Sequence, residues 1–135
     1  VFSQYGANFF KTMYMLLQTR DTLNIINDQH GAPTAAHHIA RAVSDLIKTP
    51  SKYPYGIYHI TGAGKTSWHG FAVEIQKLMT AAGIKSPTHL CEVATKDYPT
   101  KAKRPLNSQL ECDIFKLPKW QDSLAEVFNF YESIK

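Results

Sequence analysis

The tightest constraint on this chain is the set Phe71, Ile75, Leu78, Met79 and Ala82, which recurs every three or four positions and stops at Gly83. An apolar stripe of that period is one face of an α-helix and requires a surface to pack against. Gly83 closes it, because glycine enters the left-handed backbone region without steric cost. Phe9, Met13, Leu16 and Leu17 predict a second helix over residues 8–19. Ile39, Val43, Leu46 and Ile47 predict a third as a buried stripe, with Thr34 after Pro33 as its N-cap. Leu124, Val127, Phe128 and Tyr131 predict a fourth over about 121–134. Short apolar runs at 23–26, 57–60 and 88–94 read as strands between them. Helices alternating with short strands make the class α/β or α+β.

Apolar residues form 44% of the chain and charged residues 19%, enough for a core and too little charge for disorder. The net charge of +4 is spread without a long basic run. A nucleic-acid binder concentrates its positive charge, so one local anion site is the better expectation. Cys91 and Cys112 are isolated from one another, which suggests a reducing compartment. No apolar run nears the roughly 20 residues that cross a bilayer. A cytoplasmic protein without membrane or nucleic-acid partners is expected.

The stretch HITGAGKTSWHG, residues 59–70, resembles a phosphate cradle. The P-loop pattern G-x-x-x-x-G-K-S/T needs its first glycine so that backbone N–H groups can wrap phosphate, and His59 occupies that position. The dinucleotide pattern G-x-G-x-x-G fits Gly62 and Gly64 but meets Ser67 at the third glycine. The segment therefore reads as a strand-to-helix turn capped by Thr66 or Ser67. Tyr131 and Lys135 have the Tyr-x-x-x-Lys spacing of proton-transfer pairs, but Tyr131 belongs to the apolar stripe, so that spacing is coincidental. His37 and His38 are adjacent and point in different directions around a helix, and no H-E-x-x-H occurs. No metal site is expected.

Several segments carry a resemblance in their order: Asn8-Phe-Phe-Lys-Thr-Met13, then Asp28-Gln-His-Gly-Ala-Pro-Thr34 (D-Q-x-G-x-P-T), then Tyr98-Pro-Thr, then Arg104-Pro-Leu-Asn-Ser-Gln-Leu110. Together they resemble the C-terminal half of the dTDP-4-dehydrorhamnose reductase family of extended short-chain dehydrogenases. That resemblance implies an α/β, NAD(P)-binding Rossmann-type fold, of which residues 1–135 would be the sugar-nucleotide binding domain. It implies hydride transfer from NADPH or NADH to the C4 ketone of dTDP-4-dehydro-L-rhamnose in the full-length enzyme. The glycine-rich cofactor turn and catalytic Tyr-x-x-x-Lys would lie in an N-terminal domain outside this chain, which opens on Val1. The portion alone is then expected to be inactive, to bind no cofactor and to contain no catalytic residue.

The implied ligand, a dTDP-sugar, wants a hydrogen-bonding cation at its diphosphate, and a planar guanidinium can give two parallel bonds. The resemblance places Arg104 there, with Pro105 fixing its backbone. Asn8 either contacts the diphosphate or caps its helix, with Lys11 as a weaker candidate on the same helix. Gln29 and Thr34 flank the 31–33 turn and offer amide and hydroxyl groups to base or sugar. Asn107 and Ser108 either bond ligand or stabilise their loop. Trp68 and Trp120 read as packing anchors.

Two rival readings remain at this point: a non-catalytic regulatory subunit like that of methionine adenosyltransferase, and the substrate half of another sugar-nucleotide epimerase or dehydratase. In extended dehydrogenases the strand matching 57–60 joins the cofactor domain's sheet. An unpaired edge there would invite a homodimer or local rearrangement.

Overall fold

A computed structural model describes residues 1–98 and 100–135, so Pro99 of the expected rigid basic loop 98–105 lies outside the described residues. The elements are α1 (Phe9–Thr19), β1 (Thr22–Ile26), β2 (His30–Gly31), α2 (Ala36–Lys48), β3 (Thr66–Ser67), α3 (Trp68–Ala81), β4 (His89–Val93) and α4 (Trp120–Ser133). No helix is long and apolar enough to cross a membrane among the described residues.

The core is built on α3, whose period turns Phe71, Ala72, Ile75 and Met79 inward. Phe10, Met13, Tyr14 and Leu17 of α1 meet it, as do Trp120, Leu124, Val127 and Phe128 of α4. Phe71 anchors the junction, with its ring 5.7 Å from Trp120 and 5.2 Å from Phe2. The helix starts by its own chemistry: Ser67 Oγ accepts the Gly70 N–H at 2.9 Å. It stops at Gly83, which takes φ +73°. The Gly83 and Ile84 N–H groups donate back to the carbonyls of Thr80 and Met79, the paired bonds of a Schellman ending. That ending turns the chain toward β4, which pairs parallel to β1 from Thr22↔His89 to Ile26↔Val93. Beyond the ladder, both Asp28 carboxylate oxygens accept the Thr95 N–H at 3.0 Å, and one also accepts the Thr95 hydroxyl at 2.6 Å.

Three expectations are corrected. First, Thr34 does not cap α2. The cap residue is Ala35, and no side chain bonds there. The first turn is satisfied by backbone instead, since the Ala36 N–H donates to the Phe2 carbonyl at 2.9 Å. The Thr34 hydroxyl turns inward, donates to the Ala32 carbonyl and accepts the Gly62 N–H at 2.9 Å.

Second, the α2 stripe is not buried. His38 and Ala42 face inward, Ile39 and Leu46 are half-covered, and Val43 and Ile47 are exposed. A helical period identifies an apolar face but not the neighbour that covers it.

Third, residues 57–60 form no strand. A strand needs a ladder partner, and none pairs with this segment among the described residues. It is tethered instead by the Cys112 thiol, which donates to the His59 carbonyl at 2.8 Å. The expected unpaired strand edge disappears with it.

Candidate functional site

A cavity of about 450 Å³ opens where β2, β3, the start of α3 and the 104–108 loop meet. Its apolar walls include Phe2, Phe9, Trp68 and Phe71. Phe9 lies between two of them, stacked on Phe71 at 5.7 Å and tilted against Trp68 at 4.9 Å. The polar lining comes from Gln29, His30, Thr66, Ser67 and Ser108, and Arg104 supplies the positive charge. Among the described residues no carboxylate lines it. Aromatic walls with a few convergent polar groups and one guanidinium suit a ligand with a flat ring and an anionic group.

Local bonding fixes these walls. His30 lies beside the 104–108 loop like an edge strand: its N–H donates to the Leu106 carbonyl at 2.8 Å, and its carbonyl accepts from the Ser108 N–H at 2.9 Å and hydroxyl at 3.1 Å. The approach is so close that a Cβ on Gly31 would lie 2.7 Å from Ser108 Oγ. Gln29 is only 6% exposed, and its amide is engaged at both ends. Its Nε2 donates to Thr95 Oγ1 at 3.1 Å, while its Oε1 accepts the indole N–H of Trp68 at 3.2 Å. Gln29 thereby fixes the indole of Trp68 in the cavity lining.

The expected residues separate into two groups. Gln29, Arg104 and Ser108 share the cavity lining. Thr34 sits behind the wall in its buried bond with Gly62. Asn107 is outside the lining, its Oδ1 accepting the Gln109 N–H at 3.3 Å. Asn8 and Lys11 line a different, shallower groove with Tyr14, Tyr131 and Lys135. Asn8 acts as a cap: its Oδ1 accepts the Lys11 N–H, and its Nδ2 donates to the carbonyls of Ser3 and Tyr5. In that same groove Lys135 Nζ donates to the Tyr14 hydroxyl and to Glu132, and sits 5.0 Å from the centroid of the Tyr131 ring. Phe9 and His30 are lining residues that sequence reasoning missed, and Trp68, read as a packing anchor, lines the cavity as well. The usable signal was an aromatic at the first position of a capped helix, just after a glycine-rich turn.

The 62–66 turn does not fit a nucleotide cofactor. A Cβ on Gly62 would lie 2.5 Å from the Pro33 carbonyl oxygen, and one on Gly64 would lie 3.1 Å from the Trp120 ring. Both glycines are spent on close approach to the chain itself, leaving no open cradle.

Residues 1–133 match the family model described as "RmlD substrate binding domain". The chain belongs to this family. Within the RmlD substrate-binding family, the dTDP-4-dehydrorhamnose reductase of Salmonella typhimurium is 39% identical over 130 residues, covering 90% of this chain and 44% of its own. The protein of that name from Sinorhizobium fredii is 37% identical over 134 residues, covering 91% and 45%. The crystal structure of a dTDP-4-dehydrorhamnose reductase from Clostridium acetobutylicum superposes with a TM-score of 0.82 at 34% identity, over 94% of this chain and 45% of that one. A Bacillus anthracis reductase, solved in complex with NADP, gives 0.81 at 30% identity over 93% and 44%. The α/β fold of these extended short-chain dehydrogenases is thus shared, and the chain spans less than half the length of these relatives.

Proposed function

We propose that this chain is the sugar-nucleotide-recognising portion of a dTDP-4-dehydrorhamnose reductase, an enzyme that reduces the C4 ketone of dTDP-4-dehydro-L-rhamnose with NAD(P)H to dTDP-L-rhamnose. The observation that carries the reading is the cavity lining, which joins Arg104 to the Phe9–Trp68 aromatic pair with no carboxylate among them. Arg104 takes the diphosphate through paired N–H bonds, the aromatic faces take the base, and the Ser108 hydroxyl addresses a ligand hydroxyl. In this reading the nicotinamide cofactor and the proton donor belong to a separate N-terminal domain, a division supported by the 62–66 glycine turn, which is closed against Pro33 and Trp120.

Calorimetric titration of the protein with dTDP-rhamnose, UDP-glucose and GDP-mannose tests this. Preference for the dTDP-sugar is expected. Arg104→Ala should weaken it by about 10- to 150-fold, the equivalent of roughly 1.5–3 kcal/mol for a hydrogen bond to a charged group. Equal affinity for all three nucleotides, or an unchanged affinity in Arg104→Ala, would sink the assignment. So would reduction of the keto-sugar by residues 1–135 alone.

A further inference from the structure

His37 and His38 converge, contrary to the sequence expectation that neighbours on a helix diverge. Their ring centroids lie 4.0 Å apart. Both face Glu126 of α4, whose Oε2 is 2.9 Å from His37 Nε2 and 3.5 Å from His38 Nε2. One donor atom from each residue lies within 4.8 Å of the other two. Bonds of about 2.0–2.2 Å to a tetrahedral ion require ligand atoms separated by roughly 3.3–3.6 Å. The His38–Glu126 pair at 3.5 Å already has that separation, and the 2.9 Å His37–Glu126 pair reaches it by a small opening of two accessible side chains.

A second observation points into the cluster. The His38 side chain is 6% exposed, and its Nε2 has no hydrogen-bond partner. Buried polar atoms are nearly always satisfied, so an orphan of this kind asks for an explanation. The His37–Glu126 bond leaves it unanswered. An ion placed among the three donors satisfies it directly.

We propose that His37 Nε2, His38 Nε2 and the Glu126 carboxylate form a binding site for a borderline transition-metal cation of the zinc class. Two imidazoles and one carboxylate select such an ion over magnesium or calcium, which prefer all-oxygen shells. His37 and Glu126 are 27% and 52% exposed, so the ion has an entry path and a fourth position open to water. The ion clips the start of α2, a helix that turns little of its apolar surface inward, onto α4. The site lies outside the cavity lining, and its assignment is independent of the proposed sugar-nucleotide activity.

The test uses the full-length protein, stripped with a chelator and then titrated with Zn²⁺ by calorimetry and with Co²⁺ by visible spectroscopy. One ion per chain, four-coordinate Co²⁺ bands and a rise in Tm with Zn²⁺ but not with Mg²⁺ are expected. His37→Gln and Glu126→Gln, both at accessible positions, should each weaken Zn²⁺ binding by at least the roughly 10- to 100-fold that loss of an outer-shell partner costs. Circular dichroism of each variant confirms that it remains folded. Sub-stoichiometric Zn²⁺ binding, a six-coordinate Co²⁺ spectrum, or full Zn²⁺ affinity in both variants would overturn the site. A mere His37–Glu126 hydrogen bond would change stability without any Co²⁺ band.

Discussion

Thr34→Val isolates the bond that replaced the expected helix cap. Valine keeps the shape of threonine but removes the hydroxyl, so no cavity opens. The buried Gly62 N–H then loses its acceptor, and the Ala32 carbonyl loses a donor. An orphaned buried N–H costs about 1–3 kcal/mol. For a domain of this size that lowers Tm by about 3–5 °C per kcal/mol. Thr34→Ser retains the hydroxyl and gives up only one methyl group, a loss of about 0.8 kcal/mol. Urea unfolding measures both differences, and amide hydrogen exchange locates them. Thr34→Val should speed exchange at Gly62 and leave the first turn of α2 unchanged, because Ala36 donates to the Phe2 carbonyl in either case. The reasoning fails if Thr34→Val costs less than about 0.5 kcal/mol, the ordinary scatter of neutral surface changes. It fails equally if protection is lost at residues 36–38 and kept at Gly62.

The indole of Trp68 and the amide of Gln29 act as one unit. Trp68→Phe keeps an aromatic ring against Phe9 but leaves buried Gln29 Oε1 unpaired, an expected loss of about 1–3 kcal/mol. In a double-mutant cycle with Gln29→Ala, additivity within about 0.3–0.5 kcal/mol would refute that coupling. The Thr95 hydroxyl and then its N–H hold the Asp28 carboxyl below the ordinary 3.8 of an aspartate. Its folded value is depressed, so its contribution is complete above pH 3.8 and fades as pH falls through the lower folded value. Asp28→Asn should flatten the acid limb of the stability profile, and an identical acid limb in both proteins would contradict the role given to Asp28.

The helices were legible because their signals are local. The stripe at Phe71, Ile75 and Met79 and the glycine at 83 belong to one contiguous segment, and burial and cap followed as read. So did the 88–94 strand and its partner at 23–26, within a residue of their ends. What failed depends on distant neighbours. Thr34 has the chemistry of an N-cap, but Phe2 supplies a backbone acceptor that no pattern near Thr34 reveals. Residues 57–60 have the composition of a strand and lack a ladder. Arg104, Gln29 and Ser108 were reached through an ordered resemblance, and three-dimensional proximity joined them into one lining. Trp68 packs against Phe9 as the sequence reading has it and lines the cavity as well, since one indole can do both.

The parallel pairing of β1 with β4 also bears on how the molecule is made. Asp28 and Thr95, which extend that pairing, are 67 positions apart, and the cavity is not enclosed until Arg104 and Ser108 arrive. A ribosome delivers about 5–20 residues per second, N-terminal end first. Throughout the synthesis of α2 and α3, β1 waits with an open edge, the condition under which strands recruit the wrong neighbour. The binding cavity is therefore a late product of assembly: a growing chain has α1, α2 and α3 before it has anywhere to hold a ligand, and α4, the last core helix, follows the cavity lining.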